Sequence, residues 1–595
     1  MRIRTVRKSA CALALAFFVS GSAGGAANPD KVLRLATNDI ETLDPEQYND
    51  EPSFKVIGAI FEALYEIDYL SAVPKLAPLT AVALPEITDG GKTWTIKVRP
   101  GIFFTDDPAF RGKARELVAA DYVYSIKRLL DPNLRRGGAP ITTDLITGMR
   151  AAVDAASRPG AALDYDRPIE GLRALDRYTL QLHLTAPNYP IIEDTLTAGA
   201  VAREVVEAAH GDIRDHPVGT GPYRLKEWKR GSRVVLEANP GYRPIRFPES
   251  SDPQQAALVR SMQGKTLPQI GVIELNVIEE PVARVLEFDR GRLDFIAVRG
   301  TVGNRLLADG KLKPEYAARG VTRHVFPEPF LFAVYFNMKD PVLGGMGNDR
   351  VALRRAIAQA YDLHRLVDVV YAGQAIAANQ LVPPRAAGHD PALPPKGPAD
   401  PATANALLER YGYDKRDREG YRMAPDGKPL TLNMLLASGG VSREIQTLWR
   451  RNMDAIGLRF EFREVPFQDY IKECEAGKFQ MYNGGYGGVV SGYAELIQLY
   501  SPEPSTVNAT RFKLREYDVA MEQFLHSPTP GGQIAAARTM SEFARNYMPI
   551  LPAIFRLEND FVQPWLLGFS PPVFESYWKY LDIDLAKRRQ FSGGQ

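Results

Sequence analysis

The run from Thr93 to Arg99 constrains this chain most: apolar Trp94, Ile96 and Val98 alternate with Thr93, Thr95, Lys97 and Arg99. Alternation at period two makes a strand with one face in a core and the other in water. Asp89-Gly90-Gly91 stands just before it and supplies the turn of a hairpin, so residues 83–104 are expected to form a half-buried strand after a tight turn. After an acidic loop the period changes. Between 117 and 132, Tyr122 and Val123, then Ile126, then Leu129 and Leu130 recur every three to four residues until Asp131-Pro132 stops the run. That spacing predicts a helix laid on the sheet. By themselves these residues specify a packed unit of helix on sheet and nothing about its use.

The N-terminus reads as a secretory leader. Arg2, Arg4, Arg7 and Lys8 precede the apolar run Ala10 to Val19, and small residues follow through Ala27. The apolar run is about half of the roughly 20 residues needed to cross a bilayer, which argues against a membrane anchor. Cleavage after Ala27 puts Gly25 and Ala27 where a signal peptidase reads, and Cys11 lacks a lipoprotein box. The leader carries four basic residues and no acidic one, so its removal turns the formal charge of +2 into −2. A near-neutral chain without basic blocks excludes the usual nucleic-acid and polybasic membrane-surface proteins. Only Cys474 survives processing, so no intramolecular disulfide framework is expected despite export. A chain of 595 residues is too long for one ordinary core, and two or three domains are expected.

Further elements follow in order. Val32 to Thr37 predicts a first strand, and Phe54, Ile57, Phe61 and Leu64 predict a helix with Ser53 as its N-cap. Residues 176–184 alternate as a strand, and residues 216–243 form a hairpin around Arg230-Gly231-Ser232. Residues 279–298 read as a helix, a turn at Gly291 and a buried strand, and Leu331 to Met338 opens a new unit. Leu353, Ala356, Ile357, Ala360, Leu363, Val367 and Val370 make an apolar stripe expected on one long helix, with Asn348 and Asp349 near its start. The stretch 383–403 is an extended loop. Leu430 to Leu436 is a strand, Ser442 caps a helix that Gly457 closes, and Arg459 to Val465 is the next strand. Such alternation argues for an α/β lobe with helices covering a sheet.

No chemical engine emerges from the motifs. Gly264-Lys265-Thr266 ends like a P-loop, but the glycine needed five residues earlier is Val259. Gly219-Thr220-Gly221-Pro222-Tyr223 opens no helix and holds no lysine, so it is not a phosphate loop. Gly488 to Gly492 has the wrong spacing for a serine-hydrolase elbow, and Gly485-Tyr486-Gly487 begins a dinucleotide pattern that fails at Val490. The seven histidines are scattered, and the nearest pair, His210 and His216, has no metal-site pattern around it.

The wording of residues 83–132, the GTGPY motif with its later PGYR, the segment RRAIAQAYDLHRLVDVVYAGQA with LVPP, and LENDFVQPWLLGF at 557–569 together resemble the family 5 bacterial solute-binding proteins, the dipeptide- and oligopeptide-binding receptors of ABC importers. The resemblance implies an α/β two-lobe periplasmic binding protein, type II-like and of cluster C, with an extra subdomain in the first lobe and a hinged ligand cleft. The boundaries it implies are a signal peptide at 1–27 and a discontinuous first-lobe core at 28–72, 212–323 and 557–595. The extra subdomain spans 73–211 and the second lobe 324–556. It implies a monomeric receptor without cofactor, metal, nucleic acid or membrane anchor, handing a peptide or peptide-like solute to ABC permease subunits whose ATPase is a separate chain.

Members of the family hold the peptide ammonium with an aspartate in a W-x-x-D pattern. Here the matching stretch is 479–499, where Tyr486 replaces the tryptophan and Val489 the aspartate. A valine cannot make charge-assisted hydrogen bonds, so another carboxylate substitutes or the ligand lacks a free amino group. The second alternative points to an oligosaccharide, an opine-like compound or an amphipathic metabolite, and a secreted hydrolase is the remote reading. Asp39 and Ile40 match first-strand loop positions that face ligand in such receptors, and Asp39 is the expected replacement carboxylate. Arg299, after a strand near Ala297, is expected to meet a ligand carboxylate. Tyr482, Asn483, Tyr486 and Tyr493 are expected to line a flexible wall among glycines, with Asn337 as a further contact.

Overall fold

In a computed structural model the described residues are 27–592 apart from 49, 72–73, 135–142, 439–441, 488–490 and 572–576. Residues 1–26 of the leader and Val489 lie outside them. Glu86–Thr88 pairs antiparallel with Thr93–Lys97 across the Asp89-Gly90-Gly91 turn, and the sheet continues through Thr179–His183 to Leu172–Asp176. Trp94 and Ile96 are each 1% exposed on its inner face. The helix Ala119–Leu129 buries Tyr122, Ile126 and Leu129. The Asp121 carboxylate accepts the Val118 amide at its N-terminus and is held by Arg115 at 2.6 Å. Full burial of side chains of this size stabilises by roughly 1.5–3 kcal/mol each.

A second sheet has the order Asn28–Thr37, Ile270–Val277, Arg233–Ala238, Tyr223–Lys229, with the first pair parallel and the others antiparallel. Leu33, Leu236 and Ile273 fill its core at 0% exposure. The GTGPY loop is scaffold for a steric reason: a Cβ on Gly219 would overlap the Ile60 carbonyl, and one on Gly221 would lie 2.6 Å from the Ala59 oxygen. The helix beneath that loop spans Glu51–Ile60, and its N-cap is Asp50 rather than Ser53. Asp50 lies one full turn nearer the start, so its carboxylate accepts both the Ser53 amide at 2.7 Å and the Ser53 hydroxyl at 2.6 Å. The same region buries an ion triad, in which Arg128 at 1% exposure holds Asp44 at 2.8 Å and also binds Glu46.

A third sheet has seven strands: Phe295–Ala297, Ile550–Val562, Thr322–Phe336, Met481–Gly487, Thr431–Ala437 and Arg459–Val465, with Ala375–Ala377 also on Ile550–Val562. Two expectations are corrected here. The apolar stripe is not one helix: Asn348–Ala360 ends at Tyr361, whose φ of −75° and ψ of 118° are extended, and a short turn at Leu363–Arg365 leads into a wider one at Leu366–Val370. The stretch after Met481 is not a flexible wall as far as Gly487, because it is an interior strand of the sheet. Its glycines serve close packing: a Cβ on Gly485 would overlap the Phe330 ring and lie 2.9 Å from Phe332, and one on Gly484 would lie 2.9 Å from the Tyr470 hydroxyl.

Candidate functional site

The two longest strands, Thr322–Phe336 and Ile550–Val562, pair antiparallel, and their register slips midway. Pro327 is opposite Leu557 and Leu331 is opposite Phe555, so Glu328, Pro329 and Phe330 all stand against Arg556. Prolines at 327 and 329 lack the amide hydrogens a continuous ladder needs, which makes this the place for a bulge. A bulge re-aims side chains, and here it turns Glu328 into an ion-pair network. Arg556 donates to Glu328 at 2.7 Å through Nη2 and at 3.2 Å through Nε. Arg299 approaches the other Glu328 oxygen at 3.2 Å and binds Glu558. The Arg556 guanidinium also lies 4.3 Å over the Phe332 ring.

Arg556, Glu558 and Asp560 alternate along their strand, which places them on one face. Asp560 sits directly between Ala297 on one neighbouring strand and His324 on the other. It is 4% exposed, and among the described residues no hydrogen bond or ion pair reaches its carboxylate. The helix Glu51–Ile60 faces this group. Burial pushes the Asp560 carboxyl up to about 7, with Lys55 and Arg299 opposing and Glu51 reinforcing that rise. Lys55 is itself paired to Glu51 at 2.6 Å, and that charge, with Arg299 and Arg556 behind it, holds the Glu51 carboxyl below its ordinary range. Arg284 completes the ring of charge beside Arg299, donating to Asn38 and to the Ile278 carbonyl. Burial lowers the His324 pKa, so its ring tends to stay neutral. The junction therefore offers both guanidinium groups and carboxylates over one bulged strand pair.

The candidates read from sequence do not all meet there. Arg299 does, engaged with Glu328 and Glu558. Asp39 is exposed, and its Oδ1 accepts the Ile40 and Gly231 amides, each at 3.0 Å, tying the first-strand loop to a hairpin turn. Ile40 is 2% exposed in the core. Tyr482 is buried, stacked on Tyr335 at 4.5 Å, and Tyr493 is 5% exposed. Tyr486 is half-buried, edge-on to Tyr335 at 6.1 Å, and the Asn483 carbonyl accepts the Tyr470 hydroxyl at 2.7 Å. Asn337 follows the far end of its strand, where its amide caps the Gly477 and Phe479 carbonyls at 3.1 and 2.9 Å. Nine residues separate it from Glu328, about 30 Å along an extended chain.

Sequence reasoning missed Glu328, Arg556, Glu558 and Asp560. For the last three the signal is charge at every second position, Arg556, Glu558 and Asp560, in a run that begins with Ile554-Phe555 and ends with Phe561-Val562. Among the described residues no group of three or more His, Cys, Asp or Glu side chains is placed to hold a metal ion, and no helix is long and apolar enough to cross a membrane. His216 meets Asp107 at 2.7 Å.

Residues 75–505 match the model of the bacterial extracellular solute-binding proteins, family 5. The chain is 24% identical over 582 residues to di/tripeptide-binding protein 2 of Pseudomonas aeruginosa, covering 92% of this chain and 93% of that one. It is 22% identical to the periplasmic oligopeptide-binding protein of Salmonella typhimurium, over 94% of this chain and 93% of the relative. Among solved structures, the periplasmic binding protein of Helicobacter pylori in complex with the peptide STSA superposes with a TM-score of 0.67 at 17% identity, covering 93% of this chain and 98% of that one.

Proposed function

Because this chain belongs to the family 5 bacterial extracellular solute-binding proteins, we propose that it is the periplasmic receptor of an ABC importer, closing two lobes over a peptide or peptide-like solute and delivering it to the permease. It binds and releases, and carries out no reaction. One observation carries the reading beyond family membership: the bulged pair of long strands brings Arg299, Arg556, Glu328, Glu558 and Asp560 together opposite the helix Glu51–Ile60. A junction with both signs of charge suits a dipolar ligand, whose carboxylate and ammonium each need an opposite partner when water is excluded. Long strands interrupted by a bulge also suit a hinge, since a ladder with missing hydrogen bonds bends there most easily. Residues 28–72, 212–323 and 557–595 then form one lobe, with 73–211 attached to it, and 324–556 form the other.

In this reading Arg299 exchanges part of its pairing for a ligand carboxylate, and the half-buried Tyr486 offers a ring to the ligand. Both named relatives are receptors for peptides, which favours a peptide over an oligosaccharide or an opine-like compound. The test is native mass spectrometry of protein taken from its own periplasm, with the released ligand identified. Peptides of mixed sequence are expected. A single compound without an amide backbone overturns the assignment.

A further inference from the structure

The carboxylates around the strand crossing differ in one respect. Glu51 is paired with Lys55, Glu328 with Arg556 and Arg299, and Glu558 with Arg299. Asp39, nearby in sequence to the first-strand loop, has Oδ1 committed to two backbone amides. Asp560 is 4% exposed and has no such partner among the described residues, and its oxygens keep the little solvent contact that the residue has. Leaving a carboxylate buried without a hydrogen bond or a counter-ion is costly, and folded proteins keep such a group where a ligand completes it.

We propose that Asp560 is the cleft residue that receives the primary ammonium group of the ligand. The proposal rests on the peptide reading above, which supplies the ammonium. The neighbours define the sign of the ligand. Glu51 across the junction adds negative charge, His324 beside Asp560 stays neutral, and Lys55 and Arg299 are already held by other carboxylates. An anion at this point would meet Asp560 and Glu51 together, whereas an ammonium finds both. The cation is organic, because no cluster of metal-ligating side chains is placed here among the described residues. The valine at 489 then leaves no function missing, since the charge that an aspartate there would supply comes from the strand Ile550–Val562 instead.

The test uses the purified secreted protein, freed of ligand by unfolding and refolding, and two probes: an equimolar tripeptide library and the same library N-acetylated. Capture is read by native mass spectrometry and affinity by calorimetry. The wild type is expected to bind the free-amine library about 10- to 100-fold more tightly than the acetylated one, the range expected for a charge-assisted hydrogen bond in a dry site. Asp560→Asn, which keeps the shape, is expected to lose that discrimination with little change toward the acetylated library. Asp39→Asn is expected to keep it. Tryptophan fluorescence checks that both variants fold, and Asp560→Glu, which keeps the charge, is expected to restore part of the discrimination. Wild-type discrimination retained by Asp560→Asn overturns the proposal, as does its loss in Asp39→Asn. Equal wild-type binding of both libraries overturns the proposal alone, and binding of neither overturns the peptide reading with it.

Discussion

A buried, unpartnered acid must announce itself in the pH dependence of stability, and Asp560→Asn measures it. Burial raises the Asp560 carboxyl from 3.8 to about 7 in the folded chain. The sign follows from proton uptake: between those values the folded protein binds a proton that the unfolded chain has released, so stability falls as pH rises through this window. At 1.36 kcal/mol per pKa unit, the acid costs the fold about 2 kcal/mol at pH 5 and about 4 kcal/mol at pH 8, where the shift from 3.8 to about 7 is fully expressed. Asparagine has no such dependence. Its stability relative to the wild type should therefore improve by about 2–3 kcal/mol between pH 5 and pH 8, whatever constant offset the amide introduces. The other groups facing this point, Lys55, Glu51, Arg299, His324 and Tyr577, are present in both proteins and largely cancel in the difference. Urea unfolding followed by tryptophan fluorescence reports it, because Trp565 is fully buried next to the same strand and its indole donates to Asp294 at 2.7 Å. A gap that stays constant from pH 5 to pH 8 would refute the reasoning, since it would mean that Asp560 is already ionised and paired in the folded protein.

The same proton should appear in ligand binding: at pH 6 an acid titrating at about 7 is mostly protonated, so capture of an ammonium releases close to one proton. Calorimetry in two buffers of different ionisation enthalpy measures it, and no release argues against a carboxylate that ionises on binding. Replacing Arg128 by Met strands Asp44 and Glu46 without their counter-ion and should cost about 3–5 kcal/mol in urea unfolding at pH 7. Burial by itself would raise the Asp44 pKa and Arg128 holds it below 3.8, so the stability this pairing contributes is present above that value and fades as pH falls through it. The loss should therefore shrink in acid, and a loss independent of pH would contradict the ion-pair account. Gly219→Ala should be much worse than Gly101→Ala, because a Cβ at 219 overlaps the Ile60 backbone whereas at 101 it meets open space and only the positive φ of 80°. Thermal melts should show about 1 kcal/mol for Gly101→Ala and several times that for Gly219→Ala.

Much of the fold was legible as periodicity. The hairpin at Asp89-Gly90-Gly91, the helix after Leu117, the hairpin around Gly231 and the strands at Leu430 and Arg459 follow from local patterns, and the structure places each where the pattern puts it. Errors came where a local rule had a close competitor. Ser53 and Asp50 are both good caps, and Pro52, which is favoured in a first helical turn, goes with the earlier of the two. The stripe from Leu353 to Val370 keeps its period through Tyr361, and tertiary packing of the Tyr361 ring against Trp449 at 3.9 Å accompanies the break.

The sequence by itself determined a mixed α/β architecture, because alternation, helical spacing and turn residues are properties of neighbours along the chain, and the family was legible in the likeness of its motifs to those of the family 5 solute-binding proteins. The resemblance also leads to the expectation that Val489 stands in the place of the family's aspartate. Only the tertiary structure decided what the glycines after Met481 are for and which charged groups meet. Gly485 is a glycine because the Phe330 ring, more than 150 residues away in sequence, occupies the space of its side chain. Asp560 stands apart from Glu328 and Glu558 only because strand pairing gives those two their arginines and sets Asp560 between Ala297 and His324. Burial and pairing are sums over residues brought together from distant parts of the chain, and no local pattern carries them.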